Sequence, residues 1–191
     1  MTNLSPYRPY RIQPSIEAFE VPIHKYLHQQ PEICGILSAA IVICKNRVLL
    51  VQRAADDDFP NLWEVPGGTA DKDETIVQCA VRELYEEVGL VASTVVAMVG
   101  EAGWTASDSG GSDSREWGTW KVFCFLVMID GANEELNLRI QLNPREHQAY
   151  LWVTETDVRR GFHGNTRLNW ISSNQPQAIL AAFESARLSG W

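Results

Sequence analysis

Apolar positions along this chain fall into two spacings. Ile36 to Ile43 is a continuous apolar run, consistent with a buried strand. Lys45 and Asn46 offer a tight turn, and Val48 to Gln52 returns as a second strand, so the pair predicts a hairpin. Trp63-Glu64-Val65, Val95 to Gly100, Trp117 to Ile129 and Tyr150 to Val153 read as further strands. Leu136, Leu138, Ile140 and Leu142 alternate with polar residues as an edge segment would. Helical spacing appears over 74–88, where Val77, Val81, Leu84 and Val88 form one inward stripe. Asp73 is the expected N-cap of that helix, and Gly89 its terminator. Thr154 to Asp157 has the form of a helix start. A last helix runs from Asn174 to about Arg187, with Ile179, Leu180, Phe183 and Ala186 inward.

Before the first strand the pattern is weaker. Residues 1–14 read as an irregular arm. Ser15 to Gln30 reads as a helix-like extension, broken at Pro22, that packs on the domain or on a second copy of the chain. Ala106 to Ser114 has the composition of a flexible insertion and is a candidate lid. Trp104, Trp117 and Trp120 bracket it; core filling is the favoured reading, ahead of stacking on a ligand. Gly161 to Asn174 reads as a loop around Trp170.

One stretch, Gly68 to Leu90, concentrates acid in a way that folding alone does not require. On a helix, Glu83, Glu86 and Glu87 stand at i, i+3 and i+4, where like charges repel by about a few tenths of a kcal/mol per pair. Three glutamates alone would more often form a solvated face. The repulsion becomes useful when a divalent cation sits among them, and hard oxygen ligands suit Mg²⁺, with Mn²⁺ as the alternative. Arg82 lies in the same turn and can orient carboxylates or hold a phosphate.

The spacing Gly68, Glu74, Arg82-Glu83-Leu84, Glu86-Glu87, Gly89-Leu90 resembles the complete signature of the Nudix hydrolases. It covers 23 of 191 residues, and looser similarity extends over roughly 36–190. The resemblance implies an α/β fold, an α/β/α sandwich with a mixed β-sheet, over residues 35–191, with residues 1–34 as an N-terminal extension. It implies a Mg²⁺-dependent hydrolase that cleaves a diphosphate linkage in a small-molecule substrate. Glu83, Glu86 and Glu87 match the family's metal ligands, together with the Gly67 carbonyl. Arg82 matches the residue that holds those carboxylates, and Glu74 a supporting position. Glu146 is the candidate for the general base on a later loop, with a solvated carboxylate as the alternative; His147 beside it could be a shuttle or a phosphate contact, but a lone loop histidine is more often neither.

Substrate signatures outside the box are mostly missing. The proline of ADP-ribose hydrolases is absent, with Ala106 in its neighbourhood, and so is the tyrosine of diadenosine-polyphosphate hydrolases. Asn61 to Gly68 resembles mutator-type nucleoside triphosphate pyrophosphohydrolases. A nucleoside di- or triphosphate type substrate is therefore expected. A non-nucleotide diphosphate, such as an isoprenoid diphosphate, and a nucleotide-sensing module without catalysis are the alternatives.

Composition narrows the partners. With 16 Lys+Arg against 24 Asp+Glu, the net charge of −8 argues against nucleic-acid polymers. Asp56-Asp57-Asp58 reads as a solvated loop before Pro60. Cys34, Cys44, Cys79 and Cys124 form no CxxC pair, so zinc and disulfide frameworks are not expected. Ile33 to Cys44 is too short to span a bilayer, and the N-terminus lacks a signal-peptide run. A cytoplasmic protein without membrane contact is expected, with a homodimer as an arrangement the N-terminal segment could support.

Overall fold

Strand β2 (Ile33–Cys44) is the axis of the molecule. Its apolar run buries side chains on both faces: Ile36, Ala40 and Val42 join one core cluster, Ala39 and Ile41 the other. A strand apolar on both sides belongs inside a sheet covered on both faces. The computed structural model describes residues 9–106, 118–129 and 138–190. β2 runs parallel to β7 (Gly118–Ile129) and antiparallel to β3 (Arg47–Arg53) and β5 (Gly67–Thr69). β7 continues antiparallel to β6 (Ala92–Ala106), and β3 pairs with β4 (Trp63–Glu64) and β8 (His147–Thr154). The sheet is therefore mixed.

The hairpin between β2 and β3 turns at Lys45 and Asn46, with φ of 46° and 60°. Positive φ at both central residues matches the right-handed twist of the flanking strands.

Helices cover both faces. α1 (Ile23–Gln29) and α2 (Ile76–Val88) supply Ile23, Val77, Val81, Leu84 and Val88 to one core. α3 (Glu155–Arg160) and α4 (Gln175–Leu188) supply Val158, Ile179 and Phe183 to the other. The chain thus forms an α/β/α sandwich on a mixed sheet, as expected.

Several boundaries differ from the sequence reading. β1 (Arg11–Ile12) pairs in parallel with β6, so the arm is partly strand. A 3-10 turn at Pro14–Phe19 and α1 form the extension, and they pack on this chain's own sheet: Ile16 and Ile23 are buried, and Phe19 sits edge-on to Phe123 and Phe125. The break at Pro22 is where it was expected. Leu138, Ile140 and Leu142 pack on the core without forming a strand. Their segment instead docks on the end of α2, where the Gln141 and Asn143 N–H groups donate to the carbonyls of Val88 and Glu87. The segment from Gly161 to Asn174 contains a small hairpin, β9 (Phe162–His163) and β10 (Thr166–Arg167).

Trp104 is half-exposed and stacks on Trp120, so this pair does not fill the core. Trp117, Leu136 and residues 107–114 of the candidate lid lie outside the described residues. No helix among the described residues is long and apolar enough to cross a membrane.

Candidate active site

Helix α2 begins with a reciprocal cap. The Thr75 hydroxyl accepts from the Gln78 N–H, and the Gln78 side chain accepts from the Thr75 N–H. Thr75, not Asp73, is therefore the N-cap, because its hydroxyl reaches the third helical N–H while Gln78 reaches back. The helix ends on Gly89 at φ 71°, the left-handed terminator its glycine allows. The apolar stripe fixes the rotation of α2 against the sheet and turns Arg82, Glu83, Glu86 and Glu87 toward β5.

Arg82 collects the acids. Its Nε and Nη2 donate to the two oxygens of Glu74 at 3.0 and 2.8 Å. Nη1 donates to Glu83 Oε1 at 2.8 Å and to Glu86 Oε2 at 2.9 Å, and Nη2 also reaches the Thr69 carbonyl. Glu74 in turn accepts from the Asp71 N–H at 2.7 Å. One guanidinium thus serves three carboxylates, and its hydrogen bonds to Glu74 raise its own pKa. The fork geometry of arginine makes this possible where a lysine would not.

Glu87 lies deeper, 4% exposed, and accepts from the Gly67 N–H at 3.0 Å. Burial pushes its pKa well up, with the charges of Glu64, Glu83 and Glu146 adding to the shift. Burial also raises Glu83, against the opposing pull of Arg82. The strand opposite requires glycine. A Cβ on Gly67 would come within 2.6 Å of the Ala39 Cβ, and one on Gly68 within 2.6 Å of the Glu83 carboxyl carbon. The two glycines let a strand edge touch the acidic face of the helix.

A second group of residues meets this one from β3, β4 and β8. Glu146 is exposed on the turn before β8, and its Oε1 accepts from the Asn143 side chain at 3.0 Å. His147, 2% exposed, approaches Glu64 Oε1 with Nε2 at 3.1 Å. Arg53 Nη1 donates to the same Glu64 oxygen at 2.8 Å, and Arg53 Nε to Asp57 Oδ1 at 3.0 Å. Asp57 is therefore tied to Arg53 rather than simply solvated. Ligand atoms of Glu87, Glu146 and His147 all lie within 4.8 Å of one another. Sequence reasoning missed Arg53, Glu64, Asp57 and the buried setting of His147. The one available signal was Glu64, a carboxylate in a short strand directly before the Pro66-Gly67-Gly68 bend.

Among the described residues carboxylates outnumber cationic side chains here, and the buried Glu87 and half-buried Glu83 both have raised pKa values. Such a donor set fits a divalent cation, and a bound ion would reverse the penalty on their charged forms.

The description "NUDIX domain" matches residues 36–172 of this chain. The chain is 30% identical over 147 residues to "m7GpppN-mRNA hydrolase NUDT17" of Bos taurus, covering 66% of this chain and 47% of that protein. Over 55 residues it is 46% identical to "CTP pyrophosphohydrolase" of Escherichia coli (strain K12), covering 29% of this chain and 41% of that protein. The chain thus spans about half, or less, of the length of these relatives. Among solved structures it is similar to the E. coli ORF135 protein at 25% identity and TM-score 0.53, covering 82% of this chain and 92% of that one. With more than half of its length matched, and with the box residues gathered between α2 and β5, the chain belongs to the NUDIX domain family.

Proposed function

We propose that this protein is a Mg²⁺-dependent pyrophosphohydrolase that cleaves a diphosphate linkage in a nucleoside di- or triphosphate type substrate. The observation that carries this reading is Arg82 binding Glu74, Glu83 and Glu86 at once beside the buried Glu87. A solvated acidic helix would have no reason to hold its carboxylates so. The cation, when bound, neutralises charge on the phosphoryl oxygens. Glu83, Glu86, Glu87 and the Gly67 carbonyl hold it, with Mn²⁺ able to replace Mg²⁺. Arg82 keeps the carboxylates in place, and Glu146 accepts the proton of the attacking water.

The nucleotide part of the reading is supported by relatives whose names specify nucleotides, including "8-oxo-dGTP diphosphatase" of Proteus vulgaris at 43% identity over 54 residues. Residues 35–191 form the catalytic domain on this reading, and residues 1–34 an extension, of which the described part from residue 9 buttresses it. Among the described residues, Cys34, Cys44, Cys79 and Cys124 form no disulfide.

The test is a screen of nucleoside triphosphates, nucleoside diphosphate derivatives and isoprenoid diphosphates with Mg²⁺, followed by product identification. Metal-dependent release of pyrophosphate or phosphate from a nucleotide supports the reading. Turnover of isoprenoid diphosphates alone moves the substrate class. Nucleotide binding without release makes the protein a sensor.

A further inference from the structure

His147 is the residue whose surroundings its sequence position least explains. It is 2% exposed, it opens β8 beside a register shift opposite Arg53, and its Nδ1 has no hydrogen-bond partner among the described residues. Its other nitrogen faces Glu64, which Arg53 fixes and Asp57 backs. A proton on Nε2, donated to Glu64, leaves a lone pair on Nδ1. A lone pair so deeply buried is disfavoured unless something occupies it. A carboxylate that orients an imidazole through its far nitrogen is the usual outer support of a metal-bound histidine. A ring nitrogen of His147 and carboxylate oxygens of Glu87 and Glu146 lie within 4.8 Å of one another.

We infer that His147 and Glu87 ligate a divalent cation beside Glu146, and that the imidazole makes this position favour Mn²⁺ over Mg²⁺. Mg²⁺ prefers all-oxygen octahedral shells and gives up water reluctantly, whereas later divalent ions accept imidazole readily. Glu64 acts as a positioning residue through His147, with Arg53 and Asp57 behind it. Glu146 keeps one side of the position open to water. The inference rests on the proposed cation-dependent activity, and it adds a nitrogen ligand that the acidic box does not contain.

The probe is Mn²⁺ alone, added to the purified full chain and followed by pulsed electron paramagnetic resonance. Electron spin-echo modulation from a directly bound ¹⁴N is expected, and labelling the protein with ¹⁵N-histidine should replace it by the ¹⁵N pattern. His147→Gln should abolish the modulation and weaken Mn²⁺ binding about tenfold or more, with a smaller effect on Mg²⁺. Glu64→Gln should weaken Mn²⁺ binding in the same direction and be rescued in part at higher Mn²⁺. The labelling experiment uses the unaltered protein, so it shows whether a histidine nitrogen is bound even if His147→Gln fails to fold, and a loss of the same signal in Glu64→Gln then ties it to His147. Bound Mn²⁺ without nitrogen modulation, or modulation that survives His147→Gln, overturns the nitrogen ligand and leaves the box ligands standing. Absence of any Mn²⁺ or Mg²⁺ binding overturns both this inference and the proposed activity.

Discussion

Two arginines organise carboxylates on either side of Glu87, and they do so in different ways. Arg82 faces Glu74, Glu83 and Glu86, so three acids share one positive charge. Arg53 faces Asp57 and Glu64, with His147 on the far side of Glu64. In the first group the carboxylates outnumber the guanidinium that holds them three to one. The second is nearer to balance and is braced by three strands. On the proposed function the first group holds the ion, and the second holds a ring and a carboxylate in fixed orientation. The contrast teaches that charge excess and geometric bracing are supplied by separate parts of the same site.

The contrast breaks first at Glu87 and Glu86. Either Glu87→Gln or Glu86→Gln should lower turnover by about two orders of magnitude or more, since each removes a proposed ligand charge from the cation. Circular dichroism should show the fold intact. Without added metal, Glu87→Gln should melt at or above the parent temperature, because it removes a buried acid whose ionisation is disfavoured. Turnover within a few-fold of the parent would remove these residues from the metal site.

Arg82→Ala tests the charge excess by leaving Glu74, Glu83 and Glu86 without their shared cation. A loss of about 1–3 kcal/mol in denaturant unfolding is expected, with partial recovery on adding Mg²⁺. Arg53→Ala should show much less recovery with Mg²⁺, because Arg53 braces Glu64 behind His147 and does not itself neutralise the box carboxylates. Equal recovery for both variants would erase the distinction between the two groups.

Acid–base behaviour sharpens the same contrast. Glu83 and Glu87 have folded-state pKa values above their unfolded ones, so the metal-free folded protein binds more protons than the unfolded chain. Their contribution to stability is present below the unfolded carboxylate range and is lost as pH rises through the folded values. The metal-free protein should therefore lose stability over that rise, and saturating Mg²⁺ should flatten the loss. Asp57 and Glu155 are held below their ordinary values, chiefly by hydrogen bonds from Arg53 and Arg159, so their contribution runs the other way and is lost on acidification. Melting temperature against pH, with and without Mg²⁺, reads both limbs. A metal-free curve that rises steadily to neutral pH would contradict the raised values.

The smallest effect concerns the helix that carries the acids. Thr75→Ala should cost about 1 kcal/mol, and Asp73→Ala close to nothing, in equilibrium unfolding. The reverse order would return the cap to Asp73.

The Arg82 group was legible in the sequence because its members are joined by one helix and its immediate lead-in. Glu86 sits four residues from Arg82, so helical periodicity brings it to the guanidinium, while Glu83 is the next residue in the same turn. The stripe Val77, Val81, Leu84 and Val88 determined which face turned outward, and Gly89 determined where the helix stopped. Runs of apolar residues likewise announced β2, β3 and the core of β7. The Arg53, Glu64 and His147 group was not legible, because residues far apart in sequence meet only through strand register. Arg53 pairs opposite His147 only after a register shift between β3 and β8, and Glu64 reaches both from β4. A shift of one residue would have turned each side chain to the opposite face. The sequence by itself determined the helix, its acidic face and the family it belongs to. Tertiary structure alone decided which histidine was buried beside Glu87, because strand pairing is a long-range choice and helical spacing is a local one.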